Sequence, residues 1–214
     1  VEEVLVAEGL SAAQELLRKA LGQGRRLLYL ATGSEDSPHG LRAVGIPADW
    51  APALAAGLAL GLADVVVVEA DGARKLPFKA PRAPQEPVLP TGVAVVAAVA
   101  GVDCLGVPLG EERVCRADVV AEAAGVALGS LVTPEVVGRV LGARDLWCHA
   151  CVGKPELRFI AVINKVDDEA SRAQAVEITA AVKKHGRGVA GVLLTGQRSG
   201  CRGTVLELQE GALT

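Results

Sequence analysis

The sequence lacks a basic excess, a long hydrophobic run and an even set of cysteines, and each absence excludes a class of protein. Lys and Arg number 22 against 25 Asp and Glu, so the formal net charge of −3 argues against general nucleic-acid binding. Charged residues or glycines interrupt every apolar run before it reaches transmembrane length, and no signal-peptide pattern opens the chain. Five cysteines cannot form a complete disulfide framework. We therefore expect a cytoplasmic protein that binds neither nucleic acid nor a membrane.

Methionine is also missing, since its count is 0 and the first residue is Val1. A chain that is 50% hydrophobic would ordinarily contain several methionines. We therefore expect that the gene encodes residues that this sequence lacks, so that neighbours in the sequence need not be neighbours in the gene.

The remaining pattern is an alternation of short apolar runs and amphipathic stretches, which predicts parallel strands joined by right-handed crossovers. No repeat, low-complexity tract or linker divides the chain. We expect one α/β domain over residues 1–214, in three layers, with helices on both faces of a mainly parallel sheet. The predicted strands are 25–31, 65–69, 93–100, 159–163 and 189–195; the predicted helices are 11–21, 51–62, 117–124, 134–141, 169–185 and 204–209, with Ser11 and Thr133 as N-caps.

The segment 65–72, V-V-V-V-E-A-D-G, places two acids and a glycine after an unbroken β-branched run. Such a run is typical of a buried central strand, and open α/β sheets bind ligands at the carboxyl ends of their strands. Because side chains alternate along a strand, we expect Glu69 and Asp71 to line the principal pocket with Lys79, to hold Mg²⁺ and to act as catalytic carboxylates. Their mutual repulsion requires a nearby cation, either the metal or a base such as Lys79 or Arg74. The alternative is an ordinary polar turn after the strand.

The tetrapeptide Asn164-Lys165-Val166-Asp167 follows a second predicted strand and precedes a helix. This is the context of the guanine-reading N-K-x-D motif. A carboxylate there accepts hydrogen bonds from guanine N1–H and the exocyclic amine, the lysine stem covers the base, and the asparagine ties the loop to its neighbours. The alternative is a polar helix entry with Asp167 as N-cap.

A proline-rich loop, 75–90, carries Lys75, Lys79 and Arg82. Its prolines stiffen the chain at low entropic cost, and it leaves the Asp71-Gly72 turn. The loop is therefore either an anion clamp or a solvated basic segment.

Cys148 and Cys151 have the C-x-x-C spacing of metal and thiol-redox sites. No second pair completes such a site, and Trp147 beside them favours a packed helix end.

Together these residues resemble the P-loop nucleoside-triphosphatases of the metallochaperone branch, through an E-x-x-G at 69–72 and the N-K-x-D at 164–167. A closer resemblance, over roughly residues 47–200, is to the selenium-dependent molybdenum hydroxylase accessory family of the YqeC type. That family is marked by E-A-D-G-A-[RK] and K-A-P elements, here at 69–74 and 79–81, and by E-P-V-[IV]-P, which reads E-P-V-L-P here at 86–90. It is also marked by an A-V-A-G-x-D-x-L-G-x-P-L pattern, here at 98–109.

The resemblance implies a maturation factor that uses GTP or ATP with Mg²⁺ and works with the hydroxylase or its cofactor-assembly proteins. It leaves open whether the nucleotide is hydrolysed. The residues implied in nucleotide binding are Thr32, Gly72, Arg74, Lys79, Asn164, Lys165 and Asp167.

One element of the family pattern is missing. The glycine-rich G-x-G-G-K-T-[ST] loop, which cradles phosphates, should lie between residues 4–6 and Ser11, where only Glu8-Gly9-Leu10 is suitably placed. Either the loop is lost, or it belongs to the residues that the sequence lacks, which we favour. A non-catalytic scaffold with a degenerate P-loop fold is the alternative function, and a small-molecule kinase is less favoured because N-K-x-D indicates guanine.

Overall fold

The computed structural model describes residues 3–37, 40–56, 64–149, 156–196 and 208–210, which belong to two compact units. The first unit comprises Val1–Glu69 with Pro90–Gly92, and the second comprises Ala70–Leu89 with Val93–Thr214. The single domain expected over residues 1–214 stays a prediction.

The first unit contains a parallel strand pair, an antiparallel hairpin and two helices. Its elements are β1 (Glu3–Val6), α1 (Leu10–Gly22), β2 (Leu28–Ala31), β3 (Gly33–Ser37), β4 (Gly40–Val44) and α2 (Trp50–Ala56). The helix α1 connects the parallel strands β1 and β2. Its N-cap is Gly9, not Ser11 as predicted, because the helix begins one residue earlier and glycine is an acceptable cap. The hairpin of β3 and β4 was not predicted, since G-S-E-D-S has no β-branched run.

The second unit is a four-stranded sheet with helices. Its elements are β5 (Val95–Gly101), a 3₁₀ turn (Val102–Cys104), α3 (Ala117–Ala124), α4 (Pro134–Gly142), α5 (Arg144–Trp147), β6 (Arg158–Asn164), α6 (Glu169–His185), β7 (Val189–Leu194) and β8 (Leu208–Glu210). The strand order is β5-β6-β7-β8, with the first three parallel and β8 antiparallel to β7. The predicted α/β class with mostly parallel strands is confirmed. Among the described residues, no helix is long and apolar enough to span a membrane.

Backbone contact between α4 and α6 holds the core of this unit together. A Cβ added to Gly138 would lie 2.3 Å from the Ala181 Cβ, and one added to Gly142 would lie 2.8 Å from the Gly186 Cα. Glu135 joins the same helices, because its carboxylate accepts a hydrogen bond from Lys184 at 3.1 Å. This bond holds the pKa of Glu135 below its usual value.

The predicted helix starts depend on local caps. Thr133 is confirmed as the N-cap of α4, where its hydroxyl accepts from the Val136 N–H at 3.3 Å. The helix α6 starts after Asp168, which forms a capping box with Ser171. Asp167 as N-cap, the alternative interpretation of the N-K-V-D segment, is therefore wrong.

The central strand predicted at 65–69 does not form in the described structure. Residues 64–73 contain no strand, and Val65 and Val67 are 72% and 89% exposed. The described backbone contact of this stretch is with the proline-rich loop, where Val88 N–H donates to Ala70 C=O at 3.1 Å. An apolar run forms a buried strand only where a neighbouring strand accepts its backbone groups, and propensity does not specify that partner.

Three smaller corrections concern strand faces and ends. The predicted strand 93–100 forms as β5 but is buried on one face only, since Val95 and Val99 are about half exposed. The strand β2 begins at Leu28 instead of residue 25. Residues 208–210 form β8, so the last two positions of the predicted helix 204–209 are wrong, and 204–207 lie outside the described residues. Residues 57–62 of the predicted helix 51–62 also lie outside them.

We expect Gly138→Ala to destabilise the protein by about 1–3 kcal/mol, because the new methyl group overpacks the contact between α4 and α6. Gly110→Ala is the control, since an added Cβ there has no atom within 4 Å. Urea unfolding measures both. Equal stability of the two variants would contradict the close contact.

Candidate functional site

The carboxyl ends of β6 and β7 are tied side by side. The Asn164 side-chain oxygen accepts from the Thr195 hydroxyl at 2.9 Å, and the Val166 N–H donates to the Thr195 carbonyl at 2.9 Å. The expectation that the asparagine ties its loop to a neighbour is confirmed. Gly196 permits the contact, because a Cβ there would lie 2.4 Å from the Val166 carbonyl oxygen and 2.8 Å from the Asp167 carboxylate. The loop 164–167 is therefore fixed at the edge where parallel sheets bind ligands.

Lys165 extends from this loop across the end of β5. Its φ of 64° is left-handed, and its Cδ lies 3.3 Å from the position of a Cβ added to Gly101. Its ammonium pairs with Asp103 at 2.6 Å, and both side chains are about half exposed. The glycine at the end of β5 thus gives the lysine stem room to reach the 3₁₀ turn.

A second group of charged residues surrounds the ammonium of Lys79, which is only 4% exposed. This ammonium contacts the Asp71 carboxylate, donates to the Gly72 carbonyl at 2.8 Å and lies 3.4 Å from Glu86. Arg116 pairs with Glu86, and its guanidinium lies 3.9 Å from Asp71. We call Asp71, Lys79, Glu86 and Arg116 the buried ion-pair cluster after its buried lysine; the other three residues are partly buried. The formal charges of its two acids and two bases cancel.

The cluster joins three of the four elements that carried the closer resemblance. Asp71 comes from E-A-D-G-A-R, Lys79 from K-A-P and Glu86 from E-P-V-L-P. The expected cation beside Asp71 is confirmed as Lys79. The sequence did not predict that Glu86 and Arg116 belong to this site. Glu86 stands within a proline motif, and nothing in the sequence pattern singles out Arg116.

The cluster changes the expected role of Lys79. Its ammonium donates to the Gly72 carbonyl and to Glu86 and pairs with Asp71, so Lys79 is not the solvated lysine of one interpretation. Its part in an anion clamp stays a prediction. Arg82, the third basic residue of the loop, forms an exposed pair with Asp118.

The remaining predicted residues lie in several places. In the first unit the Thr32 hydroxyl donates to the Gly45 carbonyl at 3.0 Å, beside the hairpin, and the Glu69 side chain is exposed. In the second unit Gly72 adjoins the buried ion-pair cluster, and Arg74 is exposed with a φ of 54°. The strand from which a shared face for the two acids was inferred does not form. No group of three or more His, Cys, Asp or Glu side chains within the described ranges could hold a metal ion.

The described cysteines are buried and reduced. Burial raises the pKa of the Cys104 thiol to about 12, and burial also raises the pKa of Cys115. Such thiols are poor nucleophiles and poor metal ligands at neutral pH. Cys148 is buried next to Trp147, whose indole donates to the Val140 carbonyl at 2.8 Å, whereas Cys151 lies outside the described residues.

Comparison with known proteins identifies the stretch that holds the buried ion-pair cluster. The family model described as YqeC protein matches residues 8–118, more than half of the 214 residues. The chain belongs to the YqeC protein family. All four residues of the cluster lie within the matched stretch, whereas the loop 164–167 lies beyond it. The comparisons with curated proteins and with solved structures gave no match.

For this member of the YqeC family we expect Lys79→Met to cost about 3–5 kcal/mol of stability, because Asp71 would keep a buried charge without its main partner. Arg82→Met, which breaks the exposed pair with Asp118, is the control and should change stability little. Urea unfolding compares the two. Adding Asp71→Leu to the Lys79 variant should restore part of the loss, and no restoration would mean that the charge is not the cause.

Proposed function

We propose that the chain is a guanine-nucleotide-binding accessory protein that serves the maturation of a selenium-containing molybdenum hydroxylase. The observation that carries the nucleotide part is the loop 164–167 at the carboxyl end of β6. Family membership supports an accessory role. The hydroxylase part rests on the resemblance of the motifs at 69–74, 79–81 and 86–90.

The chemistry of the loop favours guanine. A carboxylate at Asp167 accepts from both N1–H and the exocyclic amine of guanine, and adenine lacks this pair of donors. The stem of Lys165 lies along Gly101, so its methylenes form an apolar surface at the same edge of the sheet. Because the loop is already fixed, the protein loses little conformational entropy when a ligand binds to it, which favours selective binding.

The proposed fold behind this function is a three-layer arrangement of the P-loop nucleoside-triphosphatase type. The parallel order β5-β6-β7 and the crossover through α6 support it. Val95 and Val99 are about half exposed, so one face of β5 is open to a further layer.

The magnesium part of the expectation does not fit the described residues. The Asp71 carboxylate is already neutralised by Lys79 and lies 3.9 Å from the Arg116 guanidinium, so a divalent cation there would meet two positive charges. The proposal is therefore limited to nucleotide binding and assigns no hydrolytic step to Glu69 or Asp71.

A second candidate is a scaffold that has kept the fold without turnover. The burial of Lys79 favours it, because this lysine pairs with Asp71, the Gly72 carbonyl and Glu86 inside the protein. The two candidates differ in nucleotide binding, which calorimetry measures directly. Loss of the selenium-containing hydroxylase activity in cells that lack the chain, restored by its gene, tests the accessory role under either candidate.

The unmutated chain should bind GDP and GTP more tightly than ADP and ATP. Asp167→Asn should weaken guanine nucleotides alone by about 1–3 kcal/mol, because a buried donor of the base would lose its acceptor. The control is Asp168→Asn at the next residue, where asparagine remains a good N-cap for α6. Isothermal titration measures all four affinities. Equal affinities for GTP and ATP in the unmutated chain would remove the basis for guanine reading. If the chain binds no nucleotide at all, the scaffold remains as the candidate function.

A further inference from the structure

The residues with left-handed backbone form an unusual set. In the described part of the chain the non-glycine residues with positive φ are Arg74, Lys75, Arg116 and Lys165, at 54°, 63°, 58° and 64°. All four are basic, although glycine, asparagine and aspartate are the usual occupants of this conformation. Lys and Arg are 22 of 214 residues, so four basic residues in four positions would arise by chance on the order of once in 10⁴. The backbone strain is therefore concentrated on cations.

The backbone segments that carry these cations adjoin one another near the end of β5. The Gly101 N–H donates to the Pro77 carbonyl at 2.7 Å, and Pro77 follows Arg74 and Lys75 closely in the chain. The stem of Lys165 lies against the same glycine. The Cys115 N–H donates to the Phe78 carbonyl at 2.9 Å, which places the residue before Arg116 beside the same segment.

Arg74 and Lys75 are the two central residues of a tight turn. The Leu76 N–H donates to the Ala73 carbonyl at 2.9 Å, and positive φ at both central positions defines a type I′ turn. Asn-Gly is the preferred pair in such a turn, because it adopts these angles with least strain. The chain instead holds two long cationic side chains there, at a cost in stability.

The surrounding contacts impose this conformation. The residue before the turn, Gly72, is held through its carbonyl by the buried Lys79, and the residue after it, Pro77, is held by Gly101. Both turn side chains are exposed. Within the described residues the Arg74 guanidinium has no hydrogen bond or ion pair, whereas Arg116 and Lys165 pair with Glu86 and Asp103. Strain that persists in a rigid frame is a feature of ligand-binding sites.

We propose that the turn Ala73–Leu76 is a polyphosphate-binding element, in which Arg74 and Lys75 bind the di- or triphosphate group of a nucleotide. The element would bind phosphate as a glycine-rich loop does in related folds, from a different position in the chain. Guanidinium groups bind phosphate oxygens in a bidentate manner, and the ammonium adds a second charge. The inference rests on the proposed function in that the loop 164–167 would read the base of the same ligand.

The test replaces the strained pair by the pair that a type I′ turn prefers. Arg74→Asn with Lys75→Gly should raise the midpoint of thermal unfolding and weaken the binding of inorganic tripolyphosphate at least tenfold. Opposite effects on stability and binding are expected only if the cations are kept for a ligand. Arg74→Lys with Lys75→Arg should keep the affinity, and Lys183→Gln with Arg187→Gln, two exposed basic residues at the end of α6, should also keep it.

Tripolyphosphate, titrated calorimetrically without metal, has no base, so its binding is independent of guanine reading. Asp167→Asn should leave this affinity unchanged, and loss of guanine preference with intact tripolyphosphate binding would overturn the base site alone. Failure of the unmutated chain to bind tripolyphosphate, or unchanged affinity in the Asn-Gly variant, would overturn the phosphate site. If the double variant does not fold, Arg74→Gln alone should still weaken binding several-fold, and an unchanged affinity would overturn the proposal.

Discussion

The contact between the buried Lys79 ammonium and Asp71 is the constraint on which the second unit depends most. A lysine that is only 4% exposed needs partners for its ammonium inside the protein. They come from two parts of the chain, Asp71 with the Gly72 carbonyl and Glu86 of the loop. The proline-rich loop is thereby fixed without any helix or strand of its own. Three short family motifs, all within residues 69–90, thus each supply one member of a single cluster.

The parts of the fold that could be predicted from the sequence are those determined by local chemistry. The helices 117–124 and 169–185 match α3 and α6 in both bounds, and Thr133 caps α4 as predicted, because side-chain caps and glycine stops act within a few residues. The strand predicted at 65–69 was wrong, because its formation depends on a partner strand and not on local chemistry. Its valines have high strand propensity, but a strand exists only with a partner, and the described structure pairs Ala70 with Val88 of the loop.

The candidate site divides in the same way. A cation was predicted beside Asp71 and is present as Lys79, although the strand from which its need was inferred does not form. The tie made by Asn164 was predicted from the N-K-x-D motif. Arg116 and Thr195 could not be found, because each is brought into place by tertiary contacts and neither stands in a recognisable motif. The burial of Lys79 could not be predicted either, since the composition of its polar, proline-rich loop is that of a solvated segment.

The helix α6 connects the loop 164–167 to the far side of the second unit. Its 17 residues span about 25 Å. At one end it begins directly after the loop, and near the other end Ala181 and Gly186 are in backbone contact with Gly138 and Gly142 of α4. At such glycine contacts no side chain can change its rotamer to absorb a shift, so α6 behaves as a rigid rod held at its far end. A displacement of the loop must therefore be absorbed within the loop itself or be transmitted along the rod to α4.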